Sequence, residues 1–172
     1  MKSKVLSLLL IAALNLPVAL LGQKGTFAIN TGFGIIQGYL VGGNYYYSQN
    51  LNVGFDIGSH LGLAPNLDQT KFSISVENNL HFGQANRFGF KPWYFGQQIM
   101  YWVKDPSFAT IQTLSITPTL GVMLAISKAL GITFELGPTV NFTLVIDRKT
   151  PEEMIYNWPV FPSGRVQLIY FF

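Results

Sequence analysis

The 172-residue chain contains no cysteine. Disulfides, thiolate metal sites and the acylated cysteine of a lipoprotein leader are therefore excluded. Charge is scarce too: Asp, Glu, Lys and Arg together make up 11% of the residues, and there are only two histidines, His60 and His81. Those two fall in different segments and make no recognisable ligand spacing, so neither a metal nor a cofactor is expected. The basic residues do not cluster, which leaves no footprint for nucleic acid. Beyond the first 22 residues there is also no run of 18 uninterrupted apolar residues, the minimum for a spanning helix.

What is present begins at the N-terminus. Lys2 and Lys4 precede an apolar run from Val5 to Leu21, and Gly22 separates that run from the polar Gln23-Lys24. This is the layout of a signal peptide, with cleavage expected after Gly22. Asn15 and Pro17 interrupt the run and count against an uncleaved anchor. The expected organisation is a signal peptide over residues 1–22 and a single domain over residues 23–172. Loss of the leader removes Lys2 and Lys4, so 11 basic against 8 acidic residues becomes 9 against 8.

Turn-forming residues divide the remainder into eight alternating segments, near residues 25–34, 38–48, 51–63, 71–83, 88–104, 111–126, 131–147 and 161–172. Roughly ten residues at about 3.3 Å each, tilted about 40°, reach about 25 Å, the height of the apolar band on a membrane barrel. Connections alternate in length. Those at 48–50, 84–87 and 127–130 are tight, whereas 64–70, 105–110 and 148–159 are longer and hold more of the charge; the short one at 35–37 breaks the trend. In an even-stranded barrel both termini share one side, so the tight turns are expected in the periplasm and the longer loops outside. An internal echo runs through this plan: Ser48 to Gly58 aligns with Ser127 to Gly137 at a shift of 79, keeping Ser, Leu, Phe, an acid and Gly in step.

Period-two alternation then assigns faces. In the third segment Leu51, Val53, Phe55 and Ile57 share one face, and Asn52, Gly54, Asp56, Gly58 and His60 the other. The fourth, sixth and seventh segments repeat the pattern. In the last, Val166, Leu168, Tyr170 and Phe172 alternate with Arg165, Gln167, Ile169 and Phe171. Periodicity alone does not say which face is inside. The large apolar share and the terminal Phe favour the apolar face outward. The fifth segment breaks phase between Phe90 and Trp93, which predicts a one-residue bulge near Lys91-Pro92. Tyr45, Tyr46, Tyr47, Trp93 and Tyr170 fall toward the tight-turn side and Tyr101, Trp102 and Trp158 toward the loop side, where interfacial aromatic belts would lie.

With that sense, Asp56, Glu77, Glu135 and Arg165 point into the lumen at similar heights. Buried charges must be compensated. Arg165 with Glu135 is the expected first pair, with His60 and His81 beside Asp56 and Glu77, and Lys91 joining if the bulge turns it inward. The inward glycines 42, 54, 58, 62 and 137 suggest a water-holding cavity. No catalytic residues are expected: Ser59-His60 is the only adjacent Ser–His pair, and alternation sends the two to opposite faces. Asn141-Phe-Thr143 matches a glycosylation sequon in composition only, and Gly32-Phe-Gly34 lacks the helix that a phosphate loop requires.

Taken together, the leader, the strand plan and Val166-x-Leu168-x-Tyr170-x-Phe172 resemble the small eight-stranded bacterial outer-membrane barrels of the outer-membrane protein A and X type. Gln23 after the cleavage site is similar to leaders from Bacteroidota. The resemblance implies an all-β, eight-stranded antiparallel up-and-down transmembrane β-barrel in the outer membrane of a Gram-negative cell. Its C-terminal strand would be read by the barrel-assembly machinery, and its partners would be outer-membrane lipid and a larger membrane complex. It implies a non-enzymatic scaffold displaying loops, with at most a narrow porin-like conduit and a lumen plugged by charge pairs. An accessory subunit and a lipid-modifying enzyme are the alternatives. The end of the chain at Phe172 is expected to set it apart from relatives that carry a peptidoglycan-gripping domain.

Overall fold

A computed structural model describes residues 25–60, 70–105, 109–148 and 159–172. The expected leader, the longer loops around 61–69 and 149–158, and Trp158 lie outside the described residues. The elements are β1 (Thr26–Gly34), β2 (Gly38–Tyr46), β3 (Leu51–Ser59), β4 (Thr70–Phe82), β5 (Trp93–Lys104), β6 (Ala109–Ala125), β7 (Leu130–Arg148) and β8 (Val160–Phe171). Each pairs antiparallel with the next, and β1 pairs with β8, so the sheet closes into an eight-stranded barrel. Closure removes the two free edges an open sheet would carry. Phe172 completes the seam, its amide donating to the Phe27 carbonyl at 3.0 Å.

Polarity runs inside-out relative to a water-soluble barrel. Asn44, Asn52, Asp56, Ser75, Glu77, Gln98, Thr117, Arg165 and Gln167 are buried, while Phe27, Val41, Phe55, Leu80, Phe95, Leu120, Phe134 and Leu136 are exposed. Strict alternation produces this: Val166, Leu168, Tyr170 and Phe172 face out and Arg165, Gln167, Ile169 and Phe171 face in.

The two turns of the internal echo have one geometry. In the first, the amides of Tyr47 and Ser48 donate to the Leu51 carbonyl, and Ser48 Oγ accepts from Asn50 N. In the second, Ile126 and Ser127 donate to the Leu130 carbonyl, and Ser127 Oγ accepts from Ala129 N and Leu130 N. The serine hydroxyl substitutes for a backbone acceptor in each.

Three expectations are corrected. The bulge near Lys91-Pro92 is absent, because residues 83–92 leave the sheet altogether and β5 starts at Trp93. Asn86 organises that segment, its Oδ1 accepting from the amides of Phe88 and Phe90. Gly83 and Gly89 turn the chain at φ of +93° and +88°, a region open to glycine at little cost. The connection expected to be tight at 84–87 is thus a folded loop, and the phase break marks its end. A bulge does occur elsewhere: the β6–β7 register slips between Gln112 and Thr113, which pair with Val145 and Thr143. Finally, Tyr46 and Trp102 are no belt residues, since both are buried in the barrel. Tyr45 and Trp93 are exposed on the tight-turn side, with Tyr47 packed edge-on against Tyr45 at 4.9 Å, and Tyr101 lies toward the loop side.

Candidate functional site: a filled lumen centred on Arg165

The interior has three layers. At mid-height Arg165 extends from β8 and meets carboxylates from three other strands. Its Nη1 donates to Asp56 Oδ2 at 2.7 Å, and its Nη2 donates to Glu135 Oε1 at 2.6 Å and to Glu77 Oε2. Glu135 is its cross-strand neighbour on β7, whereas Asp56 and Glu77 lie across the lumen on β3 and β4. All four side chains are at least 95% buried. Further donors hold the acids: Tyr94 Oη donates to Glu135 Oε1 at 2.8 Å, and Asn79 Nδ2 to Glu77 Oε1 at 3.2 Å. Arginine suits this position because its planar fork reaches several acceptors at once, which a lysine ammonium would not reproduce.

Each charged side chain faces a glycine on an adjacent strand. Gly34 pairs with Arg165, Gly42 with Asp56, Gly54 with Glu77 and Gly121 with Glu135. A Cβ on Gly42 would collide with Asp56 Oδ1 and the Phe55 carbonyl, and one on Gly121 would enter the Tyr94 ring. Gly42 and Gly54, among the glycines expected to face a water-holding cavity, thus make room for large polar side chains, and Gly62 lies outside the described residues. Near the acids a void of about 10 Å³ remains, touching Glu77, His81, Tyr94 and Glu135. That is at the lower limit for one water.

On the loop side, the turn at 35–37 folds into the barrel mouth. Ile36 packs with Met100 and Trp102, joined by Phe161. Gln37 Nε2 donates to Gln98 Oε1 at 3.0 Å, and Gln98 Nε2 passes the chain on to Ser75 Oγ at 3.1 Å. Trp102 Nε1 donates to Ser115 Oγ at 2.6 Å, satisfying the one polar atom of that ring. On the tight-turn side, Ala28, Tyr46, Tyr94, Met123, Ile169 and Phe171 form a second apolar layer against which Phe90 packs. Phe90 and Phe171 lie with ring centroids 4.5 Å apart.

The expected site residues separate accordingly. Asp56, Glu77, Glu135 and Arg165 are brought together. His81 lies one step below them, its Nε2 3.1 Å from Asn52 Oδ1 and its ring 5.0 Å from that of Tyr94. His60 is away from the cluster, at the end of β3, with its ring 6.2 Å from that of Phe33. Lys91 is also outside it and lines a recess of about 300 Å³ on the tight-turn side with Phe90, Ser48 and Gln49. Ser59 Oγ donates to the Lys71 carbonyl at 2.8 Å. Among the described residues no group of three or more acidic, His or Cys side chains is arranged to hold a metal ion. Tyr94, Gln98 and the inward turn at Ile36-Gln37 were not singled out from sequence. Tyr94 was legible in principle, since it falls on the inward phase once β5 is started at Trp93. Neither family models nor curated proteins give a match to this chain.

Proposed function

We propose that the chain is an integral outer-membrane barrel that is closed to solutes and acts, without catalysis, as a scaffold displaying its loops, the connections over residues 60–69 and 149–159 on one side of the membrane among them. The observation that carries this reading is the reversal of polarity: a largely apolar exterior surrounds a charged, hydrogen-bonded interior. Soluble monomers rarely expose apolar patches of more than a few hundred Å². The described residues contain no helix able to cross a membrane, so a crossing would be made by strands, whose backbone groups are satisfied by closure. Exposed Tyr45, Trp93 and Tyr170 toward one end and Tyr39 toward the other suit the two interfaces.

Closure to solutes rests on the three layers. A guanidinium held by three carboxylates blocks the middle, and side chains seal both mouths. Eight-stranded barrels have an interior just wide enough to be filled in this way. Cell fractionation tests location: the protein is expected with outer-membrane porins, and recovery in the soluble periplasm contradicts it. Planar-bilayer recording tests closure: no steady conductance is expected, and reproducible large pores contradict it.

A further inference from the structure

At the height of the Arg165 cluster the outward face carries two carboxamides where aliphatic side chains are the rule. Along β5 the outward residues are Trp93, Phe95, Gln97, Ile99 and Tyr101, so Gln97 stands midway between two amphipathic aromatics. Along β4 they are Phe72, Ile74, Val76, Asn78, Leu80 and Phe82, and Asn78 is the central polar interruption. Asn78 and Gln97 are direct cross-strand partners. Gln97 is exposed and Asn78 half-buried. The same row continues through Pro118, which pairs with Gln97, and through Pro138 and Pro162, which pair with each other. Short rigid rings thus extend the row, while Phe95, Leu120 and Leu136 stand out below it, exposed by 53%, 55% and 71%. The outer surface has a low waist with two amides at one end.

We propose that the Asn78–Gln97 end of this waist is a self-association surface, at which Asn78 of one copy bonds Gln97 of a second copy of the chain across a two-fold axis normal to the membrane. The inference rests on the outer-membrane reading above, because only in hydrocarbon are these amides denied water. A polar group left unbonded in that medium is costly. A carboxamide both donates and accepts, so a pair of them is its own complement. A two-fold contact presents the same patch twice, and Asn78 and Gln97 then satisfy each other reciprocally. The short side chain of Pro118, next to Gln97 in the row, lets the two surfaces approach closely there, as small residues do between membrane helices.

The chain has no native cysteine, so single cysteines report the contact cleanly. Phe95→Cys lies two residues from Gln97, and Ile29→Cys lies on β1, on the far side of the barrel. Full-length mature protein is folded into phosphatidylcholine vesicles, and insertion is scored by protease protection and by a heat-modifiable gel band. Disulfide-linked dimers are expected for Phe95→Cys and not for Ile29→Cys. Adding Asn78→Leu and Gln97→Leu should weaken association about tenfold or more while leaving insertion intact. Inserted Phe95→Cys protein that remains monomeric overturns the proposal, as do dimers indifferent to the two leucines. Failure to insert at all overturns the outer-membrane reading itself, a result distinguishable from either.

Discussion

Arg165 reaches from β8 to carboxylates on β3, β4 and β7, so its removal leaves three buried acids without a counter-charge. Arg165→Met is expected to lower unfolding stability by about 3–5 kcal/mol, read from urea titrations of the lipid-folded protein. Glu135→Gln keeps a hydrogen-bonding side chain beside Tyr94 and should cost less, about 1–3 kcal/mol. Equal losses would mean that the guanidinium is not the centre of the network. The glycines give a second test at this scale. Gly42→Ala drives a methyl into Asp56 and the Phe55 carbonyl and should cost about 1–3 kcal/mol. That Asp56, Glu77, Glu135 and Arg165 share the polar phase of their strands was legible from alternation, and its inward sense was argued from the apolar share and the terminal Phe. The pairing of each charge with a glycine was not legible, because it depends on register, and for Gly34 with Arg165 on closure between the first strand and the last.

At the scale of elements, strands were read well where alternation is strict, as in β3, β7 and β8. Reading failed where the chain leaves the sheet while keeping an alternating composition. Phe88 and Phe90 look like strand residues, yet Asn86 holds them in a loop, and Phe90 is drawn onto the apolar layer beneath it. Alternation cannot separate a side chain that faces a neighbour in the ladder from one that folds over the barrel mouth. Asn86→Ala should therefore speed amide hydrogen exchange at Phe88 and Phe90, with β4 and β5 unchanged; protection that survives would show that the loop is held by packing alone. The echoed turns allow a matched comparison. Ser127 Oγ accepts two amides and Ser48 Oγ one. Ser127→Ala should cost about 0.5–1.5 kcal/mol and Ser48→Ala less, measured by the same urea titrations.

For the whole molecule, the decisive feature is that an apolar surface surrounds a polar interior, with Arg165 and its acids near the centre and side chains closing each mouth. Sequence alone established the alternation and left its sense to be argued from composition and the terminal Phe. The closed ladder and the burial pattern then put the acids inside the barrel. The most direct measurement is a nitroxide scan along one strand of the vesicle-folded protein, using the cysteine-free background for single labels at Phe134, Glu135, Leu136 and Gly137 on β7. Relaxation by oxygen dissolved in lipid should be strong at Phe134 and Leu136 and weak at Glu135 and Gly137. Uniform access by a water-soluble nickel complex, or strong oxygen relaxation at Glu135 in place of Phe134, would contradict an apolar exterior facing lipid.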